Sequence, residues 1–387
     1  MPRHYLDHAA TSWPKPDAVY DAVDQYQRES GSSVGRAATR RAGELQRIVE
    51  RCRRRLSDLL GAGSPSSIVF AFNGTDALNQ AIHGLLAPGD HVVTSIAEHN
   101  SILRPLRMVQ QRLAVSVDYV SVGPGGCVDP EAVRQAMRPR TRLVAMTHAS
   151  NVTGAVQPAG EIGRIAREAG AVFLLDAAQT AGHVPIDVDD LQADLLAAPG
   201  HKGLLGPTGT GVLYVRPGVE RELRPLRQGG TGSVSDQEDQ PESMPERFES
   251  GSHNAAGIVG LDAAAGWLLE RGVASVHQHV EELTHRLSAA LRGVPGVTVF
   301  GPEVNQPGAG IVAFRIEGFE PQTAAALLDE EFGVECRAGL HCAPRMHRSL
   351  GTLEGGGLIR FSLGALSTVD DVEAGAAAVQ ALAGAPS

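Results

Sequence analysis

Lys202 stands at the end of Asp194-Leu195-Leu196-Ala197-Ala198-Pro199-Gly200-His201-Lys202-Gly203, an apolar run that stops in a His-Lys pair flanked by glycines. A lysine becomes a Schiff-base nucleophile when its pKa is lowered and an aldehyde can approach closely, and small residues such as Gly200 and Gly203 permit that approach. The plain alternative is a solvated loop lysine. Two nucleotide motifs fail on spacing. Gly206-Pro207-Thr208-Gly209-Thr210-Gly211 follows Lys202, whereas a P-loop places its lysine after the glycines, and GxxGxG is not the dinucleotide fingerprint.

Other chemistry-bearing residues also follow short apolar runs. Phe173-Leu174-Leu175-Asp176-Ala177-Ala178-Gln179 puts an acid just after a buried strand, where an unpaired carboxylate is costly and wants a cation. In a pyridoxal-phosphate (PLP) enzyme that cation is the protonated pyridine nitrogen, and Gln179 could reach the phenolic oxygen. Asp176 reads equally as a helix N-cap. Phe72-Asn73-Gly74-Thr75-Asp76 opens a helical pattern, so the N–H groups of Gly74 and Thr75, with the Thr75 hydroxyl, would form an anion site for a phosphate. Asp76 reads as a helix-start acid. His99, in Ala97-Glu98-His99-Asn100-Ser101, could stack on a planar ring and shuttle protons, or lie on the surface. Asn151 fits a donor to a substrate or cofactor oxygen and fits a turn equally well.

Late in the chain, Cys336-Arg337-Ala338-Gly339-Leu340-His341-Cys342-Ala343-Pro344 places Cys342 in a Gly- and Pro-punctuated loop beside His341 and near Arg337, surroundings suited to a nucleophilic thiol. Cys336, at the end of an apolar run, suits a buried inert thiol. A metal site from His341, Cys342 and His347 is disfavoured, because adjacent ligands do not follow structural-zinc spacing. Arg360, a charge inside Leu358-Ile359-Arg360-Phe361-Ser362, should have an anionic partner, and a substrate carboxylate offers the bidentate match.

The elements that must position these residues are legible as alternating apolar runs and helical patterns. Runs at 67–71, 91–94, 115–120, 142–147, 171–175 and 194–198 predict strands of a mostly parallel α/β sheet, whose ligands sit beyond the carboxyl ends. Gly229 to Pro245 predicts a long exposed loop, and a helical pattern resumes over Gly251 to Glu270. A smaller lobe follows, with a helix over 275–291, strands at 297–300, 310–316 and 358–363, and a last helix after Ser367-Thr368-Val369-Asp370-Asp371. The 387 residues, 42% hydrophobic, suffice for a sizeable core. A net charge of −10 argues against nucleic-acid or anionic-membrane binding as the main role. No secretory h-region opens the chain and no run approaches the ~20 apolar residues of a membrane span, so a cytoplasmic location is expected. Four cysteines without a CxxC pair imply reduced thiols.

In order and spacing, Tyr5-Leu6-Asp7-His8-Ala9-Ala10-Thr11, Asp176 to Gln179, Gly200-His201-Lys202, Arg337 to Pro344 and Arg360-Phe361-Ser362 resemble the class V aminotransferase-like PLP enzymes, within them the cysteine desulfurase and selenocysteine lyase group. The resemblance covers nearly the whole chain. It implies a fold-type I homodimer, with a PLP-binding large domain at 15–260 and a small α+β domain made of 1–14 and 261–387. It implies that Lys202 anchors PLP, Asp176 pairs with the pyridine nitrogen, Gln179 meets the phenolic oxygen and His99 stacks on the ring. Gly74, Thr75 and His201 would hold the phosphate. Ser252, in Phe248-Glu249-Ser250-Gly251-Ser252-His253-Asn254, would reach the neighbouring subunit's phosphate, standing where the family usually has Thr. Asn151 and Arg360 would bind the substrate carboxylate. Cys342 matches the sulfur-accepting cysteine of the group II desulfurases. The implied reaction converts L-cysteine to alanine: Lys202 removes the Cα proton and the Cys342 thiolate takes the sulfur as a persulfide, for a possible protein acceptor. Two departures stand out: His99-Asn100 replaces the frequent His-His, and Pro199 fills a place often held by a hydroxyl residue, which would cost one phosphate hydrogen bond, about 1 kcal/mol. Alternatives on the same fold are a selenocysteine lyase, a C–S lyase, an epimerase, or a sulfur-carrier or scaffold protein without turnover.

Overall fold

The computed structural model of the chain describes residues 3–35, 39–303 and 306–384, so the extreme ends of the sequence, 1–2 and 385–387, lie outside the described residues. Its strands, in chain order, are β1 (His4–Tyr5), β2 (Ile68–Ala71), β3 (His91–Ser95), β4 (Ser116–Val120), β5 (Thr141–Thr147), β6 (Val172–Asp176), β7 (Leu195–Pro199), β8 (Gly211–Val215), β9 (Val297–Phe300), β10 (Ile311–Ile316), β11 (Val334–Glu335), β12 (Arg337–Gly339) and β13 (Leu358–Ser362).

Seven of these form one sheet in the order β2-β8-β7-β6-β5-β3-β4. The pairs from β7 across to β4 are parallel, and β8 runs antiparallel to both β7 and β2. This is the α/β architecture with a mostly parallel central sheet that the apolar runs predict. Strands β6 and β7 are buried throughout, as parallel strands covered on both faces must be. Helices Gly74–Leu85, Asn100–Leu113 and Ala159–Glu168 flank the sheet. Both Gly74–Leu85 and Asn100–Leu113 start just beyond a strand's end, at the edge where parallel α/β sheets bind ligands.

The six expected strands of the large sheet are all present, within a residue or two of their expected ends. The antiparallel β8 is an addition: Gly211-Val212-Leu213-Tyr214-Val215 directly follows a glycine-rich segment, which masks a run of only five residues. A second sheet, ordered β12-β13-β10-β9, is antiparallel and belongs to the C-terminal lobe. The start of the chain joins that lobe, since β1 pairs in parallel with β11 and Asp7 bridges to Ser362. The last helix, Val369–Ala383, opens on a capping box between Thr368 and Asp371, as its sequence predicts. No helix among the described residues is long and apolar enough to cross a membrane.

Residues 229–245 form the expected exposed loop without helix or strand. One side chain gathers it. Gln240 accepts from the Gly229 N–H and donates to the carbonyls of Glu246 and Arg247 and to the Ser250 hydroxyl. The chain that follows is fixed by a buried ion pair. Glu249 makes a two-pronged contact with Arg53 at 2.7 and 2.6 Å and also accepts the Phe70 N–H at 2.6 Å, while Arg53 donates to the Ile68 carbonyl. Segment 248–254 is thereby pinned to edge strand β2.

Because both partners are buried, Glu249→Ala leaves an uncompensated guanidinium and should lower unfolding free energy by about 3 kcal/mol in urea titrations. Arg53→Leu combined with Glu249→Leu should cost clearly less than the sum of the single losses. Additive losses would mean that the pair does not act as a unit.

Candidate active site

Beyond the carboxyl ends of β2, β3, β5, β6 and β7 lies a cavity enclosing about 510 Å³ of empty space, part of it open to solvent. It is lined by Asn73, Gly74, Thr75, His99, Asn151, Asp176, Gln179, His201 and Lys202 among others. Nine positions drawn from five stretches of sequence thus meet at one sheet edge. Each stands there because a strand has just ended.

Asp176 is the last residue of β6 and is 3% exposed. Its Oδ1 accepts the Ala178 N–H at 3.0 Å. Burial pushes its carboxyl up to about 6, against smaller opposing effects of that hydrogen bond and of Lys202. Lys202 follows β7 by three residues, and burial lowers its amine to about 8, with Arg360 and Arg337 adding to the shift and Asp176 and Asp7 resisting it. A nucleophilic, proton-accepting amine therefore sits in the electrostatic field of a poorly compensated acid.

At the other end, helix Gly74–Leu85 begins with Asn73 as its cap, accepting the Asp76 N–H at 2.8 Å. Asp76 is a helix-start acid, as expected, paired with Arg227 at 2.7 Å. A Cβ on Gly74 would stand 3.1 Å from Pro199 Cδ, so this helix start and the end of β7 approach as closely as glycine allows. His201 meets Thr11 through Nδ1 at 3.1 Å, and burial, followed by Lys202, lowers its ring to about 4. His99 caps the helix Asn100–Leu113, and burial, ahead of Lys202 and nearby arginines, lowers it to about 4 as well.

Of the remaining candidates Asn151 lines this cavity, whereas Arg360, Cys342 and Ser252 are not among its lining residues. Arg360, 2% exposed, finds its anionic partner within the chain: Nη2 meets Asp7 Oδ1 at 2.8 Å and Nη1 donates to the Asn151 carbonyl at 2.9 Å. The Asn151 amide donates to the His341 carbonyl at 2.6 Å, so it orients the cysteine loop. The Asn100 N–H donates to the Cys342 carbonyl at 2.7 Å, tying that loop to the residue after His99. Cys342 is half-buried and unpaired with any cysteine. Burial holds the Cys336 thiol at about 12, in keeping with an inert role. Ser252 is not brought to the Lys202 cavity; it is exposed and lines a separate one with Phe72, Arg227 and Asn254.

Sequence reasoning missed Asp7 as the partner of Arg360, because the ion pair spans 353 positions. It also missed Glu98, fully buried, whose Oε1 accepts the Ser95 hydroxyl at 2.6 Å and whose carboxyl burial pushes up to about 8. Ser101, two residues beyond His99, had no pattern to mark it.

The arrangement suits PLP on its own terms. A buried acid lacking a full countercharge matches a protonated ring nitrogen, a helix start in the same cavity as a histidine matches a phosphate, and a desolvated lysine lining that cavity matches an aldehyde. Comparison with known proteins agrees. The aminotransferase class-V family model matches residues 4–374. The chain is 37% identical over 373 residues to a probable cysteine desulfurase of Methanothermobacter thermautotrophicus, covering 95% of this chain and 92% of that one. It is 32% identical over 350 residues to a cysteine desulfurase of Escherichia coli O157:H7, covering 89% and 85%. The apo structure of cysteine desulfurase from Thermococcus onnurineus NA1 superposes with a TM-score of 0.91 at 32% identity, covering 98% of this chain and 94% of that one. With the family match running through every strand of both lobes and every candidate residue, the chain belongs to the aminotransferase class-V family.

Proposed function

We propose that this protein is a PLP-dependent cysteine desulfurase that converts L-cysteine to L-alanine and takes the sulfur onto Cys342 as a persulfide. The observation that carries the reading is the convergence of Asp176, Lys202 and His99 on one cavity whose neighbouring loop, bearing Cys342, is bonded to Asn100 and Asn151. The sequence and structural relatives named above support it.

Bound in this cavity, PLP would serve as the electron sink for charge developing on the substrate's carbon atoms. Lys202 Nζ would anchor the cofactor and, when free, take the proton from Cα; its lowered pKa keeps part of the population neutral near pH 8. Asp176 would hold the ring nitrogen, Gln179 the phenolic oxygen and His99 the ring face. The N–H groups of Gly74 and Thr75, with His201, would bind the phosphate. In a homodimer, Ser252 would reach the neighbouring copy's phosphate. Asn151 and Arg360 would orient the substrate carboxylate, which must share the Arg360 fork with Asp7.

Sulfur transfer then needs a thiolate at Cys342 Sγ. It attacks the substrate sulfur, an S–S bond forms, the Cβ–S bond breaks, and its electron pair stays on the β-carbon, which is protonated to give alanine. The persulfide would pass to an acceptor, which we place in the cytoplasm. The substrate's cysteine skeleton fits because its carboxylate would have counterparts in Asn151 and Arg360 and its β-sulfur one in Cys342, while its α-amino group would meet the cofactor's aldehyde.

Purified enzyme should show a visible band at ~420 nm, a property of lysine-bound PLP, that disappears in Lys202→Ala. With L-cysteine and a reductant, wild type should release alanine and sulfide, and Cys342→Ala should release neither. Sulfide release by Cys342→Ala at the wild-type rate would point to elimination or another class-V reaction.

A second prediction concerns stability. Asp176 is raised from 3.8 to about 6 in the folded chain, so this group favours the fold below pH 3.8 and that contribution is lost as pH rises through 6. Above pH 7 the cofactor-free enzyme should therefore be stabilised by Asp176→Asn, by at most about 3 kcal/mol in urea titrations, while its affinity for PLP falls. A destabilised Asp176→Asn, or one that binds PLP as wild type does, would contradict the assigned role.

A further inference from the structure

His99 is bonded twice by one residue. Its Nδ1 accepts the backbone N–H of Ser101 at 3.1 Å and lies 2.8 Å from the Ser101 hydroxyl. That hydroxyl is also 2.7 Å from Thr75 Oγ1, at the start of helix Gly74–Leu85. The three side chains form a continuous line from one helix start to the other.

A backbone N–H is always a donor. A ring nitrogen that accepts one carries no proton, so a neutral His99 holds its proton on Nε2. With Nδ1 an acceptor, the Ser101 hydroxyl donates to it, and Ser101 Oγ then accepts from Thr75. The order of donation is fixed as Thr75 to Ser101 to His99, which leaves Thr75 to meet an anion through its backbone N–H. The ring stays neutral because it is buried beside Lys202, Arg337, Arg104 and Arg360. No other hydrogen bond among the described residues reaches its ring, so Nε2–H is left for the cavity that His99 lines.

We propose that Ser101 is a positioning residue, locking His99 as the neutral Nε2–H tautomer so that His99 offers the cavity a fixed hydrogen-bond donor rather than a proton acceptor. The role of His99 as a freely reversible proton shuttle, expected from its residue type, gives way to that of an oriented donor. The inference deepens the desulfurase reading and rests on it only for its kinetic consequence.

The test is nitrogen NMR of the purified enzyme labelled with 15N-histidine, with His99 assigned by comparison with His99→Gln. In wild type at neutral pH, Nδ1 should resonate as unprotonated nitrogen and Nε2 as protonated nitrogen. In Ser101→Ala the shorter of the two bonds to Nδ1, the hydroxyl at 2.8 Å, is gone and the backbone N–H at 3.1 Å alone holds the tautomer, so the two shifts should move part of the way towards each other. Ser101→Thr, which keeps the hydroxyl, should restore the wild-type pattern. Turnover of cysteine should follow, with kcat reduced roughly five- to tenfold in Ser101→Ala, the weight of one hydrogen bond, KM changed less, and Ser101→Thr close to wild type. A protonated Nδ1 in wild type, unchanged shifts in Ser101→Ala, or an unchanged kcat in that variant would overturn the proposal. The shifts are read without turnover, so wild-type inertness towards cysteine would sink the desulfurase reading and leave the tautomer assignment standing.

Discussion

A carboxylate buried at the end of a parallel strand with a single backbone hydrogen bond is the constraint around which the site is arranged. Asp176 is removed from water by the strands on either side of β6, and burial alone would keep it protonated well above its ordinary range. Lys202, in the same cavity, is pushed the opposite way. Each group relieves the other a little, yet both remain closer to neutrality than they would be in water. Such a pair is costly to keep for stability alone. It becomes favourable when a cationic ring nitrogen meets the acid and an aldehyde takes up the lysine.

A second layer of interactions connects that pair to the C-terminal lobe. Arg360 on β13 joins Asp7 near the start of the chain to the Asn151 carbonyl beyond β5, so one guanidinium ties the two sheets and the N-terminal segment together. Asn151 and Asn100 then each hold a carbonyl of the cysteine loop. Within that loop His341 and Cys342 both have positive φ, 46° and 57°, a backbone state that costs non-glycine residues of order 1 kcal/mol or more each. The strain is sustained by those bonds from the large sheet. Any shift of the lobe would therefore move the thiol relative to His99.

Much of this was legible in the sequence, for a physical reason. Parallel strands are short and uniformly apolar, and the residues just past their ends are forced to the ligand-binding edge, so Lys202, Asp176, Thr75 and His99 could be found by where the apolar runs stop. The helix cap at Thr368 and the exposed loop at 229–245 were equally local. What escaped was non-local. Asp7 reaches Arg360 across the whole chain, the Arg53–Glu249 pair spans 196 positions, and β8 depends on antiparallel partners that five residues cannot announce. Ser101 escaped because a serine in the first turn of a helix is ordinary; only the distances to His99 and Thr75 give it a role.

The central claim is that sulfur leaves the substrate onto Cys342. Intact-protein and peptide mass spectrometry after one turnover with L-cysteine, without reductant, tests it most directly. The account predicts one added sulfur atom on the peptide containing Cys342, reversed by reductant and absent in Lys202→Ala. Alanine formation with an unmodified Cys342 peptide, or the added sulfur on Cys127 instead, would contradict it.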